Sequence, residues 1–314
     1  MRYLSDADVE ALLPPPSEAV RLVREALVAL SRGEAEVPPK PAVHAADGAF
    51  ANAMPATYPA RKLLGCKWIS IFPRNAAQGL PTASGLVVVN DGETGLPRAL
   101  MAAGVLTAAR TAAVTGACIT ALAPAGALVA FTGAGVQART HLRVLDALGH
   151  RDVAVYARRE AARRDLLAWA GEHVPDVRLT VTGDARSAVE GRSVVVTALS
   201  IGLTGVELDP SWVAPDALVL PLDYASSVGP ELARDSLLVA DHLPQFEAVR
   251  AIGSLGDYPP ASAWTGELLA APRPAGRVVC QNLGNGLSDL VVAAAVADAA
   301  ESTGVGQLLD TGAA

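Results

Sequence analysis

The sequence predicts an α/β fold in two domains, and three observations predict it. Val37 to Met101 reads as short strands punctuated by Pro and Gly. Ala127 to Gln281 alternates apolar strands with amphipathic helices, and an Ala/Val-rich helix near the chain end has no strand to follow. The 314 residues suffice for about two domains at roughly 150 residues each. Hydrophobic residues make up 51%, aromatic residues 4% and charged residues 18%. The apolar content is therefore Ala, Val and Leu in globular proportion, which excludes disorder as the main state. With 25 Lys and Arg against 32 Asp and Glu, the net charge of -7 offers no attractive field to phosphate backbones or anionic lipid, so neither nucleic acid nor a membrane is an expected partner.

Ser5 before Asp6-Ala7-Asp8 has the form of a capping box and opens a short helix that Pro14-Pro15-Pro16 ends. Ser17 is the expected cap of a second helix, running to about Ser31. The best strand candidates in the next stretch are Lys67–Phe72 and Gly85–Val89, and Asp91-Gly92-Glu93-Thr94-Gly95 predicts a hairpin turn into Pro97–Met101. These make a mostly antiparallel sheet. Thr107–Leu122 carries small and apolar residues at helical spacing and stops before Pro124. The uncharged stretch between Arg110 and Arg139 is divided by Ala123-Pro124-Ala125-Gly126, Gly133 and Gly135 into helix, turn and strand, each expected to be too short to span a bilayer.

Strands are then predicted at Ala127–Thr132, Asp152–Ala157, Arg178–Thr182, Ser193–Leu199, Ala217–Leu222, Leu237–Ala240 and Val278–Gln281. Helices are predicted between several of them, at Gln137–Leu148, Glu160–His173 and Asp184–Glu190. Strand, helix, strand in succession is the signature of βαβ units on a parallel sheet. The last helix, Val291–Ala300, is expected to return to the first domain. The predicted division is residues 1–122 with 285–314 against residues 123–284.

Cys66, Cys118 and Cys280 are odd in number and lack C-x-x-C spacing, which predicts neither a disulfide framework nor a zinc site and suits a cytoplasmic protein. Asp6, Asp8 and Glu10 interrupt any apolar leader before it forms. His44, His141, His150, His173 and His242 are isolated, so no metal is expected; His242, beside Asp241, is the one with some prospect of meeting a substrate. Ser84, Ser226 and Ser227 have no G-x-S-x-G setting for nucleophilic catalysis.

The chemistry-bearing motif is Gly133-Ala134-Gly135-Val136-Gln137-Ala138, a G-x-G-x-x-A run between an apolar strand and a helix. The first glycine permits a tight turn, the second lets a pyrophosphate approach the backbone, and the small third residue allows close packing, with phosphate at the helix N-terminus. This predicts a Rossmann dinucleotide-binding domain. An NAD-selective site wants Asp or Glu about 20 residues on, at the end of the second strand. The chain has Ala157-Arg158-Arg159 there. Because guanidinium pairs with phosphate through a charge-assisted fork, NADP(H) is the preferred coenzyme and NAD(H) the alternative; the competing reading is solvated arginines at a helix start.

Ala53-Met54-Pro55-Ala56, Gly65-Cys66-Lys67, Asn75-Ala76-Ala77 with Gly79-Leu80-Pro81, Leu106-Thr107-Ala108-Ala109-Arg110-Thr111-Ala112-Ala113, the glycine motif and Asn282-Leu283-Gly284 occur in that order over nearly the whole chain. In this they resemble the ornithine cyclodeaminase and mu-crystallin family. The resemblance implies a substrate and dimerisation domain of mixed α+β type built from both chain ends, a Rossmann domain between them, a site in the cleft, and a homodimer. It implies that Lys40, Lys67 and Arg110 hold the carboxylate of a small amino or imino acid, with Met54 beside it. Lys67 and Asp223 then serve as catalytic groups, and Thr111, Thr197 and Asn282 join Gly133, Ala134, Gly135, Val136, Gln137, Arg158 and Arg159 around the coenzyme.

The residues themselves support parts of this. Lys67 lies in an apolar run, and Arg110 in an Ala-rich helix with no acid nearby in sequence, where a lone charge is costly without an anionic partner. Lys40 is flanked by Pro and can equally be solvated. Asp223 ends a strand of the parallel sheet, the edge where such sheets place ligands, with a loop N-cap as the alternative. Two departures bear on activity. Tyr224 to Leu232 is two residues longer than the P-G-K-x-E-L run of the cyclodeaminases, and Asn52 stands where they carry glutamate. Both count against the cyclising activity, and Asn52 together with the arginine pair and the missing acid after the second strand favours net oxidoreduction at the C–N bond of an amino or imino acid over the alternatives, an ornithine- or lysine-type cyclodeaminase with retained NAD and a non-catalytic NADPH-binding protein.

Overall fold

The computed structural model describes residues 1–45, 48–310 and 312. In chain order the first elements are β1 (Arg2–Leu4), α1 (Asp6–Leu12), α2 (Pro16–Ser31), β2 (Ala42–His44), β3 (Phe50–Tyr58), β4 (Leu63–Ile71), β5 (Ala83–Asp91), β6 (Pro97–Ala102) and α3 (Gly104–Leu122). The middle of the chain forms β7 (Val129–Thr132), α4 (Val136–Ala147), β8 (Asp152–Tyr156), α5 (Glu160–His173), β9 (Arg178–Thr182), α6 (Ala185–Val189), β10 (Val194–Thr197), β11 (Leu218–Pro221), α7 (Pro230–Arg234) and β12 (Leu237–Ala240). The chain finishes with α8 (Leu243–Ala251), β13 (Ala263–Trp264), α9 (Thr265–Leu269), β14 (Val278–Gln281), α10 (Gly286–Thr303) and β15 (Gln307–Leu308).

The chain divides into two compact units, Met1–Arg110 with Asn285–Ala314, and Thr111–Gly284. The first break lies inside α3, twelve residues before the 122 expected from the end of that helix; the second falls at 284. The first unit holds a sheet of order β15-β1-β6-β5-β4-β3-β2. Its neighbours run antiparallel except β1 with β6. Side chains alternate along a strand, and α10 packs on β3, β4 and β5. Leu63, Lys67, Val87 and Val89 are accordingly buried, while Leu64, Trp68 and Leu86 between them are exposed. A Cβ on Gly286 would lie 2.5 Å from the Met54 carbonyl oxygen. Only glycine lets the start of α10 come this close to β3.

Local signals explain most elements of this unit and correct others. Ser5 and Asp8 form the predicted capping box. Ser17 does not cap α2: the helix starts at Pro16 with Pro15 in the cap position and no side-chain cap bond, since proline's fixed φ suits a first helical turn. Asp91 Oδ1 accepts from the Glu93 and Thr94 amides and closes the β5–β6 hairpin. β1 and β15 were not expected, being too short to show a period. α3, at 19 residues, has the length and apolarity to cross a membrane, contrary to the expectation of a short helix, and 67% of it is buried inside the protein.

The second unit is a wholly parallel sheet of order β13-β12-β14-β11-β10-β7-β8-β9. Its central strands β7, β10, β11 and β14 are buried along their whole length, as helices on both faces require. From β7 the chain winds out through β8 to β9 and then crosses to β10 on the other side, which makes β7 the switch point where such sheets bind ligands. This is the Rossmann architecture.

Candidate active site

At the switch point the β7–α4 turn is built around Gly133. Its φ is +107°, and a Cβ there would sit 2.6 Å from the Ala198 carbonyl oxygen, so glycine is required by the protein itself. Gly135 differs: it takes the N-cap position of α4 with no side-chain cap bond, and a Cβ there would meet nothing within 4 Å. Its glycine character suits the approach of a ligand backbone. Ala138, small and buried, seats α4 on the sheet. Around this turn Thr132 Oγ1 and Gln137 Oε1 are buried polar atoms without a partner, and Ala134 and Val136 flank Gly135. A 12-residue helix whose first amides face such a turn fits a dinucleotide pyrophosphate. Gly133→Ala is expected to lower stability by about 1–3 kcal/mol through backbone strain. Gly135→Ala should leave the melting temperature within a degree or two and weaken coenzyme binding; thermal melts and coenzyme fluorescence check the pair.

Arg158 and Arg159 follow β8 and are both exposed. Arg159 is the N-cap residue of α5 and makes no side-chain cap bond. Neighbouring Arg163 turns inward instead, donating to the Ala157 and Arg158 carbonyl oxygens at 2.9 Å. Thr111 is buried in α3. After β14, Asn282 Oδ1 accepts from the Gly284 amide at 3.1 Å while its Nδ2 is buried without a partner. Asp241, which sequence reasoning passed over, fixes the same loop by accepting from the Leu283 amide at 3.0 Å. His242 caps α8 by accepting from the Gln245 amide at 3.1 Å and stacks edge-on against Trp264, which is a structural role.

Asp223 sits fully buried just past β11. Its Oδ1 accepts from Thr197 Oγ1 at 2.7 Å, and its Oδ2 from the Leu199 amide at 3.0 Å and from Ser227 Oγ at 2.6 Å. Thr197 is thereby committed to Asp223. Burial pushes the carboxyl upward from its ordinary value, and the Ser227 and Thr197 hydroxyls with the Leu199 and Asp223 amides oppose that by favouring the ionised form. The next residue, Tyr224, has φ +60°, a left-handed conformation uncommon outside glycine. The turn carrying Asp223 is held in that shape by the Ser226 amide, which donates to the Asp223 carbonyl at 3.1 Å.

In the first unit, strand alternation turns Lys67 toward α10, opposite Met54 across the β3–β4 pair. Lys67 is 2% exposed and Arg110 6%. Lys67 Nζ and Arg110 Nε both donate to one oxygen, Asp289 Oδ1, each at 2.8 Å. Asp289 lies one turn into α10, its Oδ2 buried and without a partner. The Lys67 ammonium is pushed down to about 7, first by burial and then by the Arg110 charge, with Asp289 opposing both; Lys40, half-buried before β2, adds a smaller push in the same direction. The structure thus brings Lys67, Arg110 and Met54 together, with Lys40 near enough for its charge to be felt. It also supplies the anionic partner that the sequence around Arg110 lacks. Asp289 was missed because it is 222 residues from Lys67 and 179 from Arg110; the available signal was an acid set directly before the uncharged run Leu290–Ala297.

The family model for the ornithine cyclodeaminase/mu-crystallin family matches residues 2–257. The nodulation efficiency protein NfeD of Rhizobium meliloti is 31% identical over 320 residues, covering 98% of each chain. Delta(1)-pyrroline-2-carboxylate reductase 1 of Burkholderia multivorans is 30% identical over 234 residues, covering 74% of this chain and 72% of that one. A solved archaeal alanine dehydrogenase dimer with bound NAD superposes with a TM-score of 0.87 at 26% identity, covering 99% of both chains. Such relatives are consistent with an NAD(P)-dependent oxidoreductase acting on carbon–nitrogen bonds. On the reach of the family match and the near-complete overlap with these relatives, this chain belongs to the ornithine cyclodeaminase/mu-crystallin family.

Proposed function

We propose that this protein is an imine or ketimine reductase, or the corresponding amino-acid dehydrogenase, that uses NADP(H) in preference to NAD(H) on a small substrate carrying an α-carboxylate. The observation that carries the reading is the buried Lys67–Arg110–Asp289 cluster, in which two cations share one acid. With all three ionised the cluster has one positive charge in excess, in a setting where an uncompensated charge is costly. A substrate carboxylate supplies the missing negative charge and is fixed by charge-assisted hydrogen bonds. Fixing that carboxylate orients the α carbon for reaction.

When bound, the nicotinamide supplies or accepts the hydride at the α carbon. Lys67, poised at about 7, holds a proton at Nζ that can be exchanged near neutral pH, where acid–base groups work best. The Asp223 carboxylate, just past the C-terminal end of β11, suits an iminium or amine, whose positive charge it stabilises. The α4 N-terminus with Gly133, Gly135 and Asn282 holds the coenzyme. Arg158 and Arg159 support the NADP(H) preference, because both are exposed after β8, where an NAD-selective site would carry an acid. Replacing both with Ala should weaken NADPH binding by about 1.5–3 kcal/mol while sparing NADH; equal losses, read by coenzyme fluorescence, remove the preference. A cytoplasmic location belongs to the same reading, supported by three free cysteines.

The exposed face of the first sheet carries Leu64, Trp68 and Leu86, at 40%, 45% and 41% exposure, with Trp68 and Leu86 directly paired across strands. An apolar sheet face of this kind suits a second copy of the chain, and we place the homodimer contact there. Sedimentation at micromolar concentration should give a dimer, and Trp68→Glu a monomer; a monomeric unmodified protein contradicts it.

The function itself is tested by following NAD(P)H oxidation by purified protein with cyclic imino acids, and with 2-oxo acids plus amines. Oxidation matched to substrate supports the reading. Ammonia release from ornithine or lysine without net coenzyme change indicates a cyclodeaminase, and NADPH binding with no turnover indicates a binding protein.

A further inference from the structure

We infer that Asp289 is the positioning residue of the carboxylate clamp: by taking both Lys67 Nζ and Arg110 Nε on a single oxygen, it holds the two cations side by side as one receptor for a carboxylate. This deepens the function proposed above and rests on that reading of the cluster. Three observations argue it. The first is the geometry, two bonds of 2.8 Å to the same Oδ1. Arg110 meets Asp289 through Nε, so this bond orients the guanidinium without using its two terminal nitrogens.

The second is the other oxygen. Oδ2 is buried without a partner, whereas an acid serving stability alone gains most when both oxygens are satisfied. The third is charge. Lys67 is surrounded by Arg110 from α3, Asp289 from α10 and the more distant Lys40 before β2, with the neutral Thr107 hydroxyl at 3.5 Å. Asp289 is the acid that acts on Lys67 among these groups. Without it, two adjacent buried cations repel each other and Lys67 loses its proton at neutral pH. Asp289 thus keeps Lys67 chargeable, and a bound carboxylate completes the charging.

The chain has only three lysines, Lys40, Lys62 and Lys67, so ε-13C-lysine labelling of the full-length protein saturated with NADP+ gives three resonances, assigned by elimination with Lys40→Arg and Lys62→Arg. The probe is pyrrole-2-carboxylate, a planar carboxylate with no imine to reduce. In the unmodified protein the Lys67 midpoint is expected near 7, rising by a unit or more with the probe, because the anion favours the charged form. In Asp289→Asn the midpoint should fall by about one to three units, the span of a lost neighbouring opposite charge, and the probe should bind at least about tenfold more weakly at pH 6.5.

A folded Asp289→Asn protein with an unmoved Lys67 midpoint overturns the inference. If Asp289→Asn does not fold, Asp289→Glu decides: its carboxylate, one methylene longer, must turn from its seat, so a lowered midpoint supports the inference and an unchanged one overturns it. A midpoint that falls in Asp289→Asn but never responds to the probe leaves Asp289 controlling Lys67 and counts against the carboxylate reading instead. The two failures are therefore separable.

Discussion

Arg110→Ala is expected to bind NADPH as tightly as the unmodified protein and to turn over its substrate about 10³-fold more slowly. The loss has two parts. Removing a charge-assisted bond to the substrate carboxylate costs about 1.5–3 kcal/mol, and a misplacement of the α carbon by about 1 Å adds a factor of about 10². Because Lys67 keeps its bond to Asp289 at 2.8 Å, the variant retains a neutral buried pair and should fold. The Gly133 turn, proposed above to hold the coenzyme, lies in the other compact unit, so coenzyme binding should be spared and doubles as the check on folding. Steady-state kinetics should show kcat/KM falling with kcat, as for an interaction that matters most in the transition state. Full activity in a folded Arg110→Ala protein would place the substrate elsewhere.

Asp223→Ala should destabilise the Rossmann unit by at least about 3 kcal/mol. It leaves the Thr197 and Ser227 hydroxyls and the Leu199 amide without their acceptor at a position that is 0% exposed. Each orphaned buried donor costs about 1–3 kcal/mol. Asp223→Asn tests the catalytic share: an amide offers one acceptor oxygen where the carboxylate offered two, so part of the stability returns while the negative charge that would face an iminium does not. Chemical denaturation should rank wild type above Asn above Ala. An Asn variant with near-normal stability and near-normal rate would reduce Asp223 to an anchor of its turn.

What could be read from the sequence follows from how each feature announces itself. The Rossmann unit was legible because its strands are continuous apolar runs, as strands buried on both faces must be, and because the Gly133–Ala138 motif joins the first strand to its helix. Lys67 and Arg110 stood out as lone charges in apolar segments. A related signal would have marked Asp289, an acid set before the uncharged run Leu290–Ala297, had α10 been read from Gly286; started at Val291, the predicted helix left the acid outside. Its cap, Asn285 accepting from the Ser288 amide, was the local signal for the earlier start. The binding of Asp223 by Thr197 and Ser227 was not legible, since it joins the ends of two strands with a turn, and small polar residues at such ends are commonplace. β1 and β15 are three and two residues long, too short for alternation to register, and the break within α3 depends on which unit each turn packs against.

Hydride transfer to the α carbon of a carboxylate-bearing imine can be followed by isotope. The protein is incubated with NADPH deuterated at the transferable C4 position and Δ1-pyrroline-2-carboxylate, with the other imino acids of the screen in parallel, and the products are read by mass spectrometry and NMR. The expected product carries one deuterium at the α carbon for each NADP+ formed, and in Arg110→Ala it forms about 10³-fold more slowly while NADPH remains bound. Deuterium retained entirely in the coenzyme across the whole panel, with NADPH bound and none oxidised, would contradict it.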